Sequence, residues 1–140
     1  RAERNWDMET SVGNTVKSEP VAGSAAVQAR PVDLAHLARY TLAEPALEEE
    51  ILALFAQQAP LTIERLRRAS SERQWREAAH TLKGSARAIG AWRLARAAEA
   101  GELTKGWDCS ASGLTVVADV EAAFDEVLLF IGKLRQSRAA

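Results

Sequence analysis

The chain has 140 residues, 47% of them hydrophobic and 26% charged, with a formal net charge of -1, which is one domain's worth of an ordinary globular mix. That near-neutral balance lacks the basic surface nucleic acid demands, and no run of about 20 apolar residues is present to span a membrane. The single cysteine, Cys109, excludes an internal disulfide and leaves too few thiols for a zinc site, so no metal site is expected.

Residues 1–30 are small and polar, with Ser11, Gly13, Asn14, Ser18, Pro20 and Gly23 among them, and show neither a helical nor a strand period. Such a composition cannot bury enough apolar surface to offset the entropy of ordering, so the segment reads as a flexible tail or linker. It carries no charged n-region followed by an apolar core, so no secretory leader is expected and the expected location is the cytoplasm.

From Asp33 onward helical signals are dense. Asp33 can cap a short helix over residues 34–40, because its carboxylate accepts from free backbone N–H groups. Glu44 before Pro45 opens a second, long helix, with proline where its missing donor costs nothing. Leu47, Ile51, Leu54 and Phe55 fall on one side of it and read as its core face. Glu48, Glu49 and Glu50 read as a solvated helix start that suits the dipole. Pro60 interrupts the pattern, which resumes with Ile63 and Leu66 and predicts a bend rather than a stop.

A third helix runs from Ser71, which has capping-box spacing to Gln74, to Gly90, a natural C-terminal glycine. A fourth, rich in alanine, covers residues 91–102, and the stretch 105–113 reads as a loop. The fifth carries Val117, Val120, Phe124, Val127, Ile131 and Leu134 at alternating spacings of three and four, the seam of a bundle helix. No segment alternates with period two. The expected fold is all-α, an antiparallel four-helix bundle with a short additional N-terminal helix, over residues 31–140.

The third helix carries the chemistry. Trp75, Ala78, Ala79, Leu82, Ala86 and Ile89 gather on one side, and His80 falls roughly 150° from the centre of that stripe, facing water. Arg76 lies one turn before it, Lys83 and Gly84 one turn after, and Arg87 two turns after. Gly84 costs about 1 kcal/mol relative to alanine in mid-helix, on a face where no packing requires it. What it removes is the side chain beside His80. An exposed imidazole with a free nitrogen is a nucleophile near neutral pH, and flanking cations suit a phosphoryl group.

The run His80-Thr81-Leu82-Lys83-Gly84-Ser85-Ala86, continuing to Ile89-Gly90-Ala91, resembles the signature of histidine phosphotransfer (HPt) domains of bacterial phosphorelays. The similarity extends over residues 33–102, including the proline-containing upstream helix and Trp75. The loop 105–113, with Trp107 and Cys109, has no family counterpart. The resemblance implies that His80 accepts the phosphoryl group, that Lys83 supports the phosphate, and that Gly84 clears space for a partner, with Arg76 and Arg87 as further cations. It implies a response-regulator receiver domain as partner, whose aspartate and magnesium perform the catalysis, and a sensor histidine kinase of the hybrid type upstream. The chain itself would need no cofactor. It contains no glycine-rich nucleotide site, so it is expected to be a phosphocarrier and not a kinase.

Other classes rank lower. A metal-binding bundle would want Glu-x-x-His pairs on facing helices, and only two histidines are present. A helical adaptor that binds signalling partners without transferring phosphate is the main alternative, and the retained histidine argues against it. His36 lacks the setting of His80 and reads as a solvated or partly buried helix residue. Trp75, Trp92 and Phe124 read as core or helix-contact residues.

Overall fold

The computed structural model describes residues 30–108 and 110–139. The expected tail, apart from Arg30, and Cys109 lie outside the described residues. Among those described there are five α-helices and no strand: α1 (Leu34–Thr41), α2 (Pro45–Arg67), α3 (Glu72–Ile89), α4 (Trp92–Glu102) and α5 (Ala111–Ala139). The fold class is all-α, as the periodicity predicts.

Local chemistry sets most helix ends. The Asp33 carboxylate accepts from His36 N–H at 3.1 Å and caps α1. Pro45 occupies the first turn of α2, and Pro60 does not end that helix, which runs through it to Arg67. Ser71 Oγ accepts from Gln74 N–H at 3.1 Å, but the reciprocal half of the capping box is displaced. Gln74 Oε1 accepts from the Ser70 N–H at 2.9 Å instead. Gly90 closes α3 in the left-handed region at φ 76°, where a side chain would strain the backbone. A Cβ there would also meet Asp33 Cβ at 2.7 Å. That close approach matters, because Asp33 N–H donates to Gly90 O at 2.9 Å and Trp92 Nε1 donates to Asp33 Oδ2 at 3.0 Å. One aspartate therefore caps α1 and ties it to the α3–α4 turn. The connection to α5 is shorter than the expected loop, since helix begins at Ala111, with Ser110 Oγ accepting from Gly113 N–H at 3.2 Å.

Packing links α2 to α3, α3 to α4, α4 to α5 and α5 back to α2, with α1 lying against α2 and α3. Leu52, Phe55, Ile63 and Leu66 of α2 meet Trp75 and Leu82 of α3, Leu94 of α4, and Val120, Phe124, Val127 and Ile131 of α5 in one buried cluster. The α3 and α5 faces are those predicted, except that Val117 and Leu134 are half-buried while Val116 is buried.

On α2 the expectation is corrected twice. Leu54 is 56% exposed and Ile51 only partly covered, whereas Leu52 is buried. Of the apolar stripe read from the sequence, Phe55 is buried, Leu47 and Ile51 are half-buried and Leu54 faces solvent. Glu48 is not solvated: it is buried, with Arg138 Nη2 at 2.6 Å and the Thr41 hydroxyl at 3.4 Å. Its charge is tolerated because α5 delivers a guanidinium to it.

The α4–α5 connection folds back over Trp75. A Cβ at Gly106 would lie 2.5 Å from Trp75 Cζ2, and one at Gly113 would lie 2.3 Å from Gly106 O. The obstacle at Gly113 is the backbone of Gly106, which cannot yield as a flexible side chain would. Gly113→Ala is therefore expected to cost about 1–3 kcal/mol, the usual range for overpacking. Gly132→Ala in the same helix, where a Cβ meets nothing within 4 Å, should leave the thermal midpoint unchanged or raised. Equal midpoints for the two variants would show that the connection opens freely.

Candidate functional site

Helix α3 presents one face to the core and the opposite face to solvent. Trp75, Ala78, Ala79, Leu82, Ala86 and Ile89 are buried, which leaves His80 pointing outward with its side chain 70% exposed. Its Nδ1 lies 2.7 Å from Oε2 of Glu102, the last residue of α4. Lys83 Nζ pairs with the other oxygen of the same carboxylate. Glu102 thus bridges the histidine and the lysine from a neighbouring helix, and both Lys83 and Glu102 are only 16% exposed.

The end of α4 is held in place by Trp75. Its Nε1 donates to Gly101 O at 2.7 Å in a buried hydrogen bond, one residue before Glu102. A core tryptophan on α3 therefore sets where the carboxylate of α4 meets the exposed histidine of α3.

The carboxylate is held below the usual glutamate range. The Lys83 hydrogen bond is the largest cause, burial opposes it, and the His80 hydrogen bond adds to it. An ionised carboxylate can only accept, so the proton of the neutral imidazole sits on Nδ1 and the lone pair on Nε2. A depressed carboxyl contributes stability that is fully present above the ordinary glutamate value of about 4.3 and is lost as pH falls through the lower folded value. Glu102→Gln is expected to flatten that acid limb. Denaturant midpoints at about pH 7 and about pH 3.5 should lie closer together in the variant than in the wild type. An equal separation in both proteins would remove Glu102 from the acid response.

The sequence-predicted cations are distributed unevenly. Arg76 shares a shallow depression with His80, Arg73, Glu77, Thr81 and Glu102, and its Nη2 is 2.5 Å from Glu72 Oε2. Arg87 faces Glu99 across the α3–α4 seam at 3.8 Å. At Gly84 an added Cβ would meet nothing within 4 Å, so no packing explains the glycine. His36 sits apart, half-buried with its ring edge-on to Tyr40 and Trp92. Its Nε2 is buried without a hydrogen-bond partner among the described residues.

Glu102 is the residue that sequence reading missed. One signal was available: an acidic residue at a helix C-terminus opposes the macrodipole, so a glutamate ending α4 calls for a nearby cation. Which cation it meets is a matter of helix packing. Among the described residues no group of three or more histidine, cysteine, aspartate or glutamate side chains is placed to hold a metal ion. No helix of those residues is long and apolar enough to cross a membrane.

Residues 50–134 match the family model of the Hpt domain. No curated protein and no solved structure matches the chain. The matched span covers more than half of the sequence and contains α3 and α4, and the family is the one that the run from His80 to Ala91 resembles. The chain belongs to the Hpt domain family, the histidine phosphotransfer domains of two-component phosphorelays.

Proposed function

We propose that this chain carries a phosphoryl group on Nε2 of His80, taking it from the aspartyl phosphate of one receiver domain and delivering it to the aspartate of another. The carrying observation is the 2.7 Å contact between His80 Nδ1 and Glu102. It directs the ring so that the protonated nitrogen faces the protein and the nucleophilic one faces solvent.

The step balances with these groups. The Nε2 lone pair attacks phosphorus, the Nε2–P bond forms, and the aspartyl O–P bond breaks with its electron pair leaving on the carboxylate. Nδ1 keeps its proton, and the ring becomes an imidazolium whose charge Glu102 offsets. In the reverse step the N–P bond breaks and Nε2 recovers its pair. Because Nδ1 stays protonated, the imidazole leaves as a neutral molecule, which keeps the phosphoryl group transferable. Magnesium bound in the partner receiver would supply positive charge for the transferring group, while this chain contributes His80 as the nucleophile and Glu102 to hold its ring.

Lys83 acts first through Glu102, fixing the carboxylate, and reaches the phosphate only by releasing it. Arg76, in the depression with His80, is the better placed of the two arginines, and Arg87 is held toward Glu99. Gly84 leaves the approach to His80 clear. The family carries phosphoryl groups rather than making them from ATP, which suits the absence of a glycine-rich nucleotide motif in the sequence. The kinase that feeds the relay, a hybrid sensor kinase in this reading, acts through its own receiver, in the cytoplasm. The cyclic packing of α2, α3, α4 and α5 through short connections supports an antiparallel four-helix bundle with α1 laid across one side. Residues 1–30 serve as a tail or linker to it.

The test is incubation of the chain with a phosphorylated receiver domain. Acid-labile, base-stable label should pass to it. An unlabelled chain would favour the adaptor reading.

A further inference from the structure

Helix α5 buries Val120, Phe124, Val127 and Ile131 and turns the opposite side to water. On that side Ala118, Ala122, Asp125, Leu129, Gly132 and Gln136 succeed one another at alternating spacings of four and three, and all are exposed. Such an alternation is the repeat by which one helix packs its side chains between those of another. Leu129, at 66% exposure, is the barest leucine of the helix. Gly132 follows it by one turn, in mid-helix, where glycine costs stability. A Cβ there would meet nothing within 4 Å, so no contact inside the chain calls for the glycine.

Charge is sorted along the same helix. Asp119, Glu121, Asp125 and Glu126 all precede Leu129, and Lys133, Arg135 and Arg138 all follow it. The macrodipole does not account for this order, because its effect is confined to the first and last turns and the first turn of α5 holds no acidic residue. Glu121, Glu126 and Arg138 are used within the chain, against Arg67, Arg93 and Glu48. Asp125 and Lys133 are not. Among the described residues neither enters an ion pair. Both are exposed, one turn before and one turn after Leu129.

We infer that two copies of this chain pair through this face, α5 against α5 in antiparallel order, about a twofold axis at Leu129. That register is the one in which the face complements itself. Asp125 of each copy comes level with Lys133 of the other, so both ion pairs form at once. Side chains on a helix lean toward its N-terminus, which carries each Leu129 toward the bare Gly132 of the second copy. Parallel pairing would set Asp125 beside Asp125 and Lys133 beside Lys133, so the charge order also fixes the direction. The bundle keeps this face apart from His80. Helices α3 and α5 each pack on α2 and α4 and, among the described residues, not on each other. The dimer therefore leaves both histidines open to partners. One helix from each copy makes a small interface, so association is weak and reversible.

The test is sedimentation of the full chain over a range of concentrations. The wild type is expected to pass from monomer to dimer as concentration rises, and added salt should weaken the dimer. Asp125→Lys and Lys133→Asp should each weaken it by about tenfold or more, because each variant sets like charges together. Mixed in equal amounts, the two variants should associate as the wild type does, since opposite charges then meet at both positions. Their circular dichroism should match the wild type, both positions being exposed. Leu54→Gln, at an exposed leucine of α2, should leave association unchanged. A wild-type chain still monomeric at about 1 mM, the weak end of specific association, would overturn the inference. So would a mixture of the two charge variants no more associated than either alone. A dimer that Leu54→Gln dissolves and Asp125→Lys does not would place the contact on α2 and overturn it as well. None of these outcomes depends on whether His80 carries phosphate.

Discussion

His80→Gln is expected to abolish acid-labile labelling while the chain folds as before. The imidazole is 70% exposed and among the described residues its side chain hydrogen-bonds to Glu102 alone, so its loss removes no core contact. Glutamine keeps a polar side chain that can donate to Glu102, and Lys83 still pairs with that carboxylate. Surface changes of this kind usually fall within about ±0.5 kcal/mol. What disappears is the nitrogen lone pair that attacks phosphorus. His36 cannot substitute, because it is half-buried between aromatic rings with its Nε2 out of contact with solvent. The measurement is label incorporated from a phosphorylated receiver, set beside the circular dichroism and thermal midpoint of the same sample. Retained label in a folded His80→Gln chain would place the acceptor elsewhere.

Gly84→Gln is expected to separate stability from function. A mid-helix glycine costs about 1 kcal/mol relative to a good helix former, and here a Cβ would meet nothing within 4 Å. The substitution therefore removes a cost without adding a clash, and the unfolding midpoint should rise slightly. Transfer from a receiver domain should fall severely, because in-line attack needs the reacting atoms within about 3–3.5 Å and the new side chain stands one turn from His80. Phosphoramidate is small and needs no such clearance, so its labelling of His80 should survive better. A Gly84→Gln chain that exchanges with its receiver at the wild-type rate would leave the glycine without a steric role. A loss of labelling from both donors alike would instead mean that the substitution disturbs His80 itself.

Much of this protein was legible in the order of its residues because the signals are local. Asp33, Pro45, Ser71 and Gly90 each act on backbone groups within a few residues, so helix ends could be placed from short stretches. The burial of Trp75, Leu82 and Ile89 and the exposure of His80 follow from a single strong period in α3, which also carries the family resemblance that the match over residues 50–134 bears out. Helix α2 was harder for a physical reason. It has two apolar faces, and periodicity reports a face without saying which side its neighbours occupy. That choice was made by α3 and α5, which cover Leu52 and Phe55 and leave Leu54 in water. Glu48 was misread in the same way, since Arg138, which neutralises it, lies 90 residues further along the chain. The candidate site divides along the same line. Residue order alone determined an exposed histidine with a lysine and a glycine on one helical turn. Only the tertiary structure brought up Glu102 from α4, because an ion pair between helices depends on how they pack, which no spacing within either helix records.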